Sequence, residues 1–448
     1  MQEVTLAQML DAREARVQAQ RLLLEQYACP IVCFTMNIPG PVKDSPLIRR
    51  GFEAGWNTLR HRLPKGKVLD ARRREAVTGC EALLAVDMDS VELKKLCTAI
   101  EDETPLGRLF DMDVLDSRGV KLDREPVGGK PRNCIVCGAS GRGCASRRTH
   151  TVPELQNAAG RILTEHFARA DARSIAALAV KGLLDEVLTT PKPGLVDRRN
   201  SGSHRDMDIF TFSASASALA PYFQECAEIG QETRDAAPEE TFRLLRAAGL
   251  RAEEVMLRAT RGVNTHKGAV FTMGLLCGAA GRLWKPEGIW QEDALYREVS
   301  AMTARAMEED LRRGGDTAGQ RFYASRGVQG IRGEVSRGLP SVRQVGLPVF
   351  RECLSEGLER NDAGAVTLLH LIARVEDTNL LSRGGPEGAR EAREMAAALL
   401  ERSPRPSRGE IETLDDWFIS RNLSPGGCAD LLAAVYFLQD LTGNRPPV

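Results

Sequence analysis

The sequence has no long hydrophobic run, no surplus of either charge, no dense cysteine framework and no Gly/Ser-rich linker. Its longest apolar stretch, around residues 269–280, is broken by glycine and falls short of the roughly 20 residues that span a bilayer. Lys+Arg and Asp+Glu number 61 each, so the formal net charge is +0. The balance is nearly even in both halves, which removes the basic surplus of a nucleic-acid binder. Eleven cysteines are scattered over 448 residues without the spacing of a disulfide scaffold. The opening residues are polar and amphipathic rather than leader-like. The expectation is a cytoplasmic enzyme in a reducing compartment, with neither nucleic acid nor membrane as partner. A Walker A pattern is also missing, so any nucleotide must be held by other loops.

What is present divides in two. A chain of 448 residues with 42% apolar content exceeds one ordinary domain, and its texture changes near residue 170. The expected fold is multidomain: an N-terminal α/β (α+β) domain over 1–168, then a mostly all-α domain over 169–448. In the first part, residues 31–36 read as a strand ending in an Asn-Ile-Pro-Gly-Pro turn, and EALLAVDMDS and GRLFDMDVLD also read as strands. In GRLFDMDVLD, alternation sends Leu109, Asp111 and Asp113 to one side and Phe110, Met112 and Val114 to the other. After Asp171 convincing strands are scarce. TFRLLRAAGLRAEEVMLRA, AGAVTLLHLIARV and GCADLLAAVYFLQDL carry apolar residues at helical spacing. Between such stretches lie polar clusters: residues 190–208 (TPKPGLVDRRNSGSHRDMD), 259–268, 314–319 (GGDTAG), 330–334 (GIRGE), 376–385 and 424–432. This is a helical bundle whose loops carry the chemistry. Residues 151–171 read as an amphipathic helix, which predicts a stiff connection.

Several residue types point to specific chemistry. Two carboxylates on one strand face, Asp111 and Asp113, suit Mg²⁺, which takes oxygen ligands and completes its shell with phosphates. Asp87 and Asp89 repeat the spacing without the Gly-Arg lead and read as a solvated strand end. Arg72, Arg73 and Arg74 read as an exposed charged face. Cys134, Cys137, Cys144 and His150 form C-x2-C-x6-C-x5-H, a Zn²⁺-like pattern. Two readings stand: a structural zinc knuckle, or reduced cysteines in a substrate loop where Arg132, Arg147 and His150 act. The second is preferred. His370, inside an apolar helix, reads as structural. His204 and His266, among Gly, Ser, Thr and Asn, read as functional.

The ordered motifs TPKPGLVDRRNSGSHRDMD, GVNTHKG, DTAG, RGE and DTN with a following RGG resemble the triphosphoribosyl-dephospho-CoA synthase family. The resemblance covers roughly residues 170–441. Gln320 after DTAG and Val335 after RGE stand where the family pattern has an acid and an alanine. NIPGPVK, GRLFDMDV and PRNCIVCGASGRGCASRRTH together resemble the phosphoribosyl-dephospho-CoA transferase that loads apo-citrate lyase. The chain therefore looks like a fusion of two consecutive enzymes, with ATP and 3′-dephospho-CoA as substrates. The resemblance implies a nucleotidyltransferase-like first domain using Mg²⁺ and, as partner, the citrate lyase acyl carrier protein (gamma subunit). Rival readings are the parallel malonate decarboxylase pathway and a zinc-containing interaction module on a helical scaffold.

The same resemblance allots roles. In the first domain Asp111 and Asp113 would hold Mg²⁺, with Arg108 and Arg132 on phosphates; Asn37, Pro39, Gly40 and Lys43 resemble a substrate loop. In the second, Lys192, Arg198, Lys267 and Arg383 would contact phosphate. Asp206 and Asp208, with Asp197, would bind Mg²⁺ or face a cationic ribose. His204 or His266 would shuttle a proton near neutrality, and Asn264 and Asn379 would orient ribose hydroxyls. Asp316, Glu334 and Asp377 are further metal or ribose candidates.

Overall fold

The computed structural model describes residues 2–313 and 330–443. Chain contacts divide the protein into two compact units that part between Ala168 and Arg169.

The first unit is a small antiparallel sheet with helices. Helix α1 (Leu6–Tyr27) starts at a capping box in which Thr5 and Gln8 satisfy each other's backbone N–H groups. There follow β1 (Ile31–Met36), α2 (Pro46–Arg62), β2 (Val68–Arg74), β3 (Glu81–Val86), α3 (Ser90–Glu103), β4 (Phe110–Leu115) and β5 (Lys121–Leu122). The strand order is β2-β3-β1-β4-β5. Central β1 pairs antiparallel with β3 and β4, setting Phe34 opposite both Ala82 and Met112. Phe34 stacks on Phe52 of α2 at 4.7 Å and meets Phe110 edge-on at 5.5 Å. The other face buries Ile31, Cys33, Leu83 and Ala85 against Leu23 of α1. In β4, Phe110, Met112 and Val114 are buried while Asp111 and Asp113 are half-buried, so period-2 alternation holds there. Leu109 departs from it. It lies buried in a 3₁₀ turn, Leu106–Leu109, and the strand begins one residue later. On edge strand β2, Arg72, Arg73 and Arg74 pair with Asp70, Glu53 and Glu81, as an exposed charged face would.

A short helix α4 (Gly141–Arg147) precedes the 37-residue α5 (Val152–Leu188), which runs through the unit boundary. The second unit continues with α6 (Ile209–Ala218), α7 (Ala220–Glu232), α8 (Pro238–Ala259), α9 (Lys267–Arg282) and α10 (Glu292–Arg313). Beyond the undescribed segment come α11 (Gly330–Ser336), α12 (Leu347–Ser355), α13 (Arg360–Arg374), α14 (Thr378–Arg402), α15 (Arg408–Ser420) and α16 (Gly426–Gly443). Among the described residues of this unit there is no strand. Helices α9 and α16 are buried around most of their circumference, which is why their sequences are apolar on nearly every side. Glycine in and just after the 269–280 region has a packing reason. A Cβ on Gly281 would stand 2.1 Å from the Ala227 carbonyl oxygen of α7, and one on Gly278 would stand 2.5 Å from Leu245. No helix among the described residues is long and apolar enough to cross a membrane. Asp316 and the DTAG motif lie outside the described residues.

Candidate functional site

In the first unit, β4 carries the two acids beside a group of arginines. Asp113 pairs with Lys121 of β5 at 2.7 Å. Asp111 lies 3.8 Å from Arg132. Burial first, then the charge of Asp113, pushes the Asp111 carboxyl above its ordinary range. Beneath them Glu101 of α3 is buried: it accepts from the Met112 backbone N–H at 2.8 Å and pairs closely with Arg132. Arg124 reaches Asp102 at 2.6 Å and Glu101 at 3.9 Å. Arg108 donates to the Asn133 carbonyl oxygen, while its Nη1 is buried without a partner, as are Nε and Nη1 of Arg124. Burial, followed by Arg132 and Arg124, lowers the pKa of Arg108. Arg108 and Arg124 thus keep buried donors without partners beside the paired Arg132, an arrangement suited to an anion. Arg124 and Lys121 are absent from the sequence expectations, because only the fold brings them to the DxD strand.

The other first-unit expectations resolve locally. Asp89 caps α3 by accepting from the N–H groups of Val91 and Glu92, and Asp87 forms an exposed pair with Lys67. Lys43 turns onto the Ile38 carbonyl at 2.5 Å, and Asn37 N–H donates to Leu109 at 2.8 Å. The Asn-Ile-Pro-Gly-Pro segment is thus held in place by Leu109 and Lys43. Cys134, Cys137, Cys144 and His150 bring their donor atoms within 4.8 Å of one another, a cluster that could hold a metal ion.

In the second unit, the Thr190-to-Asp208 loop is organised mainly by its own acids and by α15. Asp197 accepts from the N–H groups of Lys192, Arg199 and Asn200. Buried Asp415 accepts from Gly194 N–H at 2.9 Å, Arg199 at 2.6 Å and Asn200 at 2.8 Å. Gly194 needs φ +71°, and a Cβ there would stand 2.2 Å from the Leu423 carbonyl oxygen. Asp415 sits 221 residues from Gly194 inside a helix, and no local spacing announces it.

That loop forms one wall of a cavity of about 1110 Å³, whose other walls include residues of the described polar clusters at 259–268, 330–334, 376–385 and 424–432. Lys192, His204, Asp206, Asn264, His266, Lys267, Glu334, Asp377, Asn379 and Arg383 all line it, so the fold unites expectations spread over 191 positions. Three expected residues are not among its lining. Arg198 bonds Asn361 at 2.8 Å and Thr190 at 3.3 Å, closing the loop base. Asp197 serves the loop's backbone, as above. Asp208 caps α6, accepting from Thr211 N–H at 2.8 Å within a capping box. The proposed Asp206/Asp208 metal pair is therefore divided, because the second acid begins a helix. Asp208→Ala should lower the melting temperature by removing the helix cap.

Cavity residues missed in the sequence are Glu186, Asp430 and Arg332. Lys192 is buried in an ion pair with Glu186 at 2.5 Å. Burial, then Glu186 and Asp377, raises the Asp430 carboxyl well above its usual range. Buried Asp377 caps α14, accepting from the N–H groups of Asn379, Leu380 and Cys428. Arg332 holds a buried Nη1 without a partner. His204 donates to or accepts from Ser424 Oγ at 2.9 Å and accepts from Arg383 at 3.2 Å. Burial and then Arg383 lower its pKa to about 4. Burial and then Lys192 lower that of His266 to about 3. Both imidazoles are therefore neutral at physiological pH, so neither titrates near neutrality as the sequence suggested. His370 bonds Arg374 at 3.0 Å and does not line this cavity.

Residues 172–446 match the family model described as ATP:dephospho-CoA triphosphoribosyl transferase. Residues 4–166 match that described as apo-citrate lyase phosphoribosyl-dephospho-CoA transferase. "Protein CitXG" of Haemophilus influenzae is 32% identical, covering 99% of this chain and 97% of its own length. "Protein CitXG" of Leuconostoc mesenteroides subsp. cremoris is also 32% identical, covering 99% and 98%. A 2-(5''-triphosphoribosyl)-3'-dephosphocoenzyme-A synthase of Klebsiella pneumoniae is 42% identical over 60% of this chain and 90% of its own.

Proposed function

Because the chain belongs to the family that joins an apo-citrate lyase phosphoribosyl-dephospho-CoA transferase to an ATP:dephospho-CoA triphosphoribosyl transferase, we propose that its helical cavity takes ATP and 3′-dephospho-CoA and that its acidic strand serves the second transfer. The bifunctional enzyme makes 2′-(5″-triphosphoribosyl)-3′-dephospho-CoA with release of adenine, then transfers the phosphoribosyl-dephospho-CoA group to apo-citrate lyase with release of pyrophosphate. The observation that carries the site assignment is the convergence of five separated polar clusters on one cavity.

In the first reaction the N-glycosidic bond of ATP breaks, and a ribose hydroxyl of dephospho-CoA attacks the anomeric carbon. Positive charge grows on the ribose while adenine leaves with the bonding pair. Asp430, whose carboxyl is pushed well above its usual range by burial, Glu186 and Asp377, is the group we assign to donate a proton to departing adenine. Asp206 is the carboxylate we place near the ribose cation, where it also takes the proton that the attacking hydroxyl loses. Arg332, Lys267 and Arg383 contact the triphosphate, the first through its unmet Nη1–H. Asn264 and Asn379 orient hydroxyls. Lys192, locked to Glu186, acts as a fixed positive charge rather than a mobile phosphate ligand.

In the second reaction, of nucleotidyltransferase type, a serine hydroxyl of the acyl carrier protein attacks the phosphorus nearest the added ribose. The P–O bond to pyrophosphate breaks. The crowding of two like charges at Asp111 and Asp113 fits a divalent cation. Mg²⁺ bound there would neutralise the triphosphate and the departing pyrophosphate. Arg108, Arg124 and Arg132 hold phosphate oxygens, and Lys121 exchanges its Asp113 partner for the incoming anion. The test supplies ATP, dephospho-CoA and apo-carrier to the purified protein. Free adenine and a carrier mass increase equal to phosphoribosyl-dephospho-CoA are expected; adenine release independent of dephospho-CoA would overturn the assignment.

A further inference from the structure

The cysteine–histidine cluster takes part in neither reaction as derived above. It lies in a segment with a structural problem. Among the described residues, no buried side chain occurs between Val114 and Ala158. A stretch of that length has no hydrophobic core of its own to offset the entropy of ordering it, and such segments are fixed by disulfides or metals. Yet this one is folded to a defined shape. Cys134 N–H donates to Ala139 at 2.7 Å, Gly138 N–H to Cys134 at 3.0 Å, and Gly141 N–H to the Arg132 carbonyl oxygen at 3.0 Å. Asn133 and Ser140 form an antiparallel bridge. Gly138 takes φ +72°, which lets the chain double back directly after the C-x2-C pair.

The four donor atoms all lie within 4.8 Å of one another, close enough to share one ion. Cys137 Sγ lies 3.5 Å from Cys144 Sγ and 3.3 Å from His150 Nε2. Zn–S bonds of about 2.3 Å at tetrahedral angles set ligand edges near ~3.8 Å, so a slight opening admits the ion. A covalent disulfide would need about 2.05 Å between sulfurs, so the thiols are gathered but not bridged. The Val136 N–H points at Cys134 Sγ at 3.5 Å, the outer-shell contact that favours a thiolate. Three sulfurs and one imidazole, with no carboxylate among them, select Zn²⁺ over Mg²⁺. All four positions are filled by protein, which is a structural rather than a catalytic shell.

We infer that Cys134, Cys137, Cys144 and His150 bind one structural Zn²⁺, and that this ion positions the anion-binding arginines of the first unit. The link is short. Arg132 and Asn133 form the base of the zinc loop. Arg132 pairs with buried Glu101 and lies 3.8 Å from Asp111, and the Asn133 carbonyl receives Arg108. Zinc thus fixes the loop base, and the loop base fixes two guanidiniums beside the acidic strand. The positioning role rests on the transfer site proposed above; the metal site does not.

The experiment uses the full-length protein, grown with zinc and purified under reducing conditions. Elemental analysis should find about one zinc per chain. Cys137→Ser combined with Cys144→Ser should abolish the bound zinc, expose residues 120–150 to rapid proteolysis and lower carrier loading at least tenfold, chiefly through a higher KM for the triphosphoribosyl substrate. His150→Cys, which completes a four-thiolate shell, should keep both zinc and loading. Adenine release should be unchanged in all variants and reports that the helical unit is folded. Zinc-free protein with intact loading would overturn the metal site. Bound zinc whose loss leaves loading unaltered would overturn the positioning role alone. Failure of carrier loading by the zinc-loaded parent would instead count against the transfer reading.

Discussion

Asp113→Asn will stop carrier loading while adenine release continues at the parental rate. Asp113 faces the same way as Asp111 from β4 and pairs with Lys121. The amide keeps the volume and the strand, so folding has little reason to change. What disappears is one negative oxygen of the pair we assign to Mg²⁺. A lost metal ligand at the centre of phosphoryl transfer is expected to cost about 4 kcal/mol of transition-state stabilisation, or about three orders of magnitude in rate. Asp111→Asn should behave alike. Lys121→Met is the informative contrast: it frees Asp113 from its cation, so metal affinity should rise while phosphate binding weakens. Loading that survives Asp113→Asn within a factor of a few would remove the acidic strand from the mechanism. Loss of adenine release in the same variant would show that the substitution damages more than the first unit.

Much of the architecture was legible because each unit announces itself through periodicity. Alternation in FDMDVL placed two acids on one face, and the burial pattern repeats it. Helical spacing in the second unit marked α8, α13 and α16 well enough to make the intervening loops the natural place for chemistry. Motif order then located most of the cavity. Two kinds of error have different physical origins. Asp208 and Arg198 have the composition of ligand residues but are used as a helix cap and a loop stitch, and sequence does not distinguish a carboxylate that meets a backbone N–H from one that meets a substrate. Glu186 and Asp415 were missed for the opposite reason: each lies within a helical stretch that reads as ordinary sequence and gains its meaning only where helix ends meet. Arg332 and Asp430 fell inside the 330–334 and 424–432 clusters without being singled out. The Asp430 carboxyl, for example, lies so close over α9 that a Cβ on Gly268 would stand 1.9 Å from its Oδ2. The glycine of NTHKG is the clearance that lets this acid enter the cavity.

His266→Leu will lower adenine release by about two to three orders of magnitude without lowering the melting temperature. The argument follows hydrogens. Thr265 Oγ1–H donates to Ser215 Oγ at 2.8 Å, so the Ser215 hydroxyl proton is directed at His266 Nδ1, also 2.8 Å away. Nδ1 is then the acceptor, and the ring proton sits on Nε2. That Nε2–H is buried and has no partner, on a residue that lines the cavity. An orphaned buried donor costs about 1–3 kcal/mol, a cost that substrate removes if the group meets an acceptor such as a nitrogen of the leaving adenine. Leucine deletes the donor and the cost together, so stability should hold or rise while the reaction slows. His266→Gln restores an N–H at similar reach and should recover activity to within about tenfold of the parent. The pH behaviour separates this role from proton shuttling. With its pKa depressed to about 3 in the folded protein against an ordinary 6.5, the ring stays neutral through the working range. The rate profile should therefore show no inflection near 6.5 that His266→Gln removes. The stability sign follows from the same shift. Below pH 6.5 the unfolded chain takes up a proton that the folded chain refuses, so the parent should lose about 1.4 kcal/mol per pH unit relative to His266→Leu as the pH falls toward 3. Comparing parent and variant by denaturant titration cancels the contributions of the buried carboxyls. A parental inflection near 6.5 that vanishes in the glutamine variant would make His266 a base after all and overturn the donor assignment.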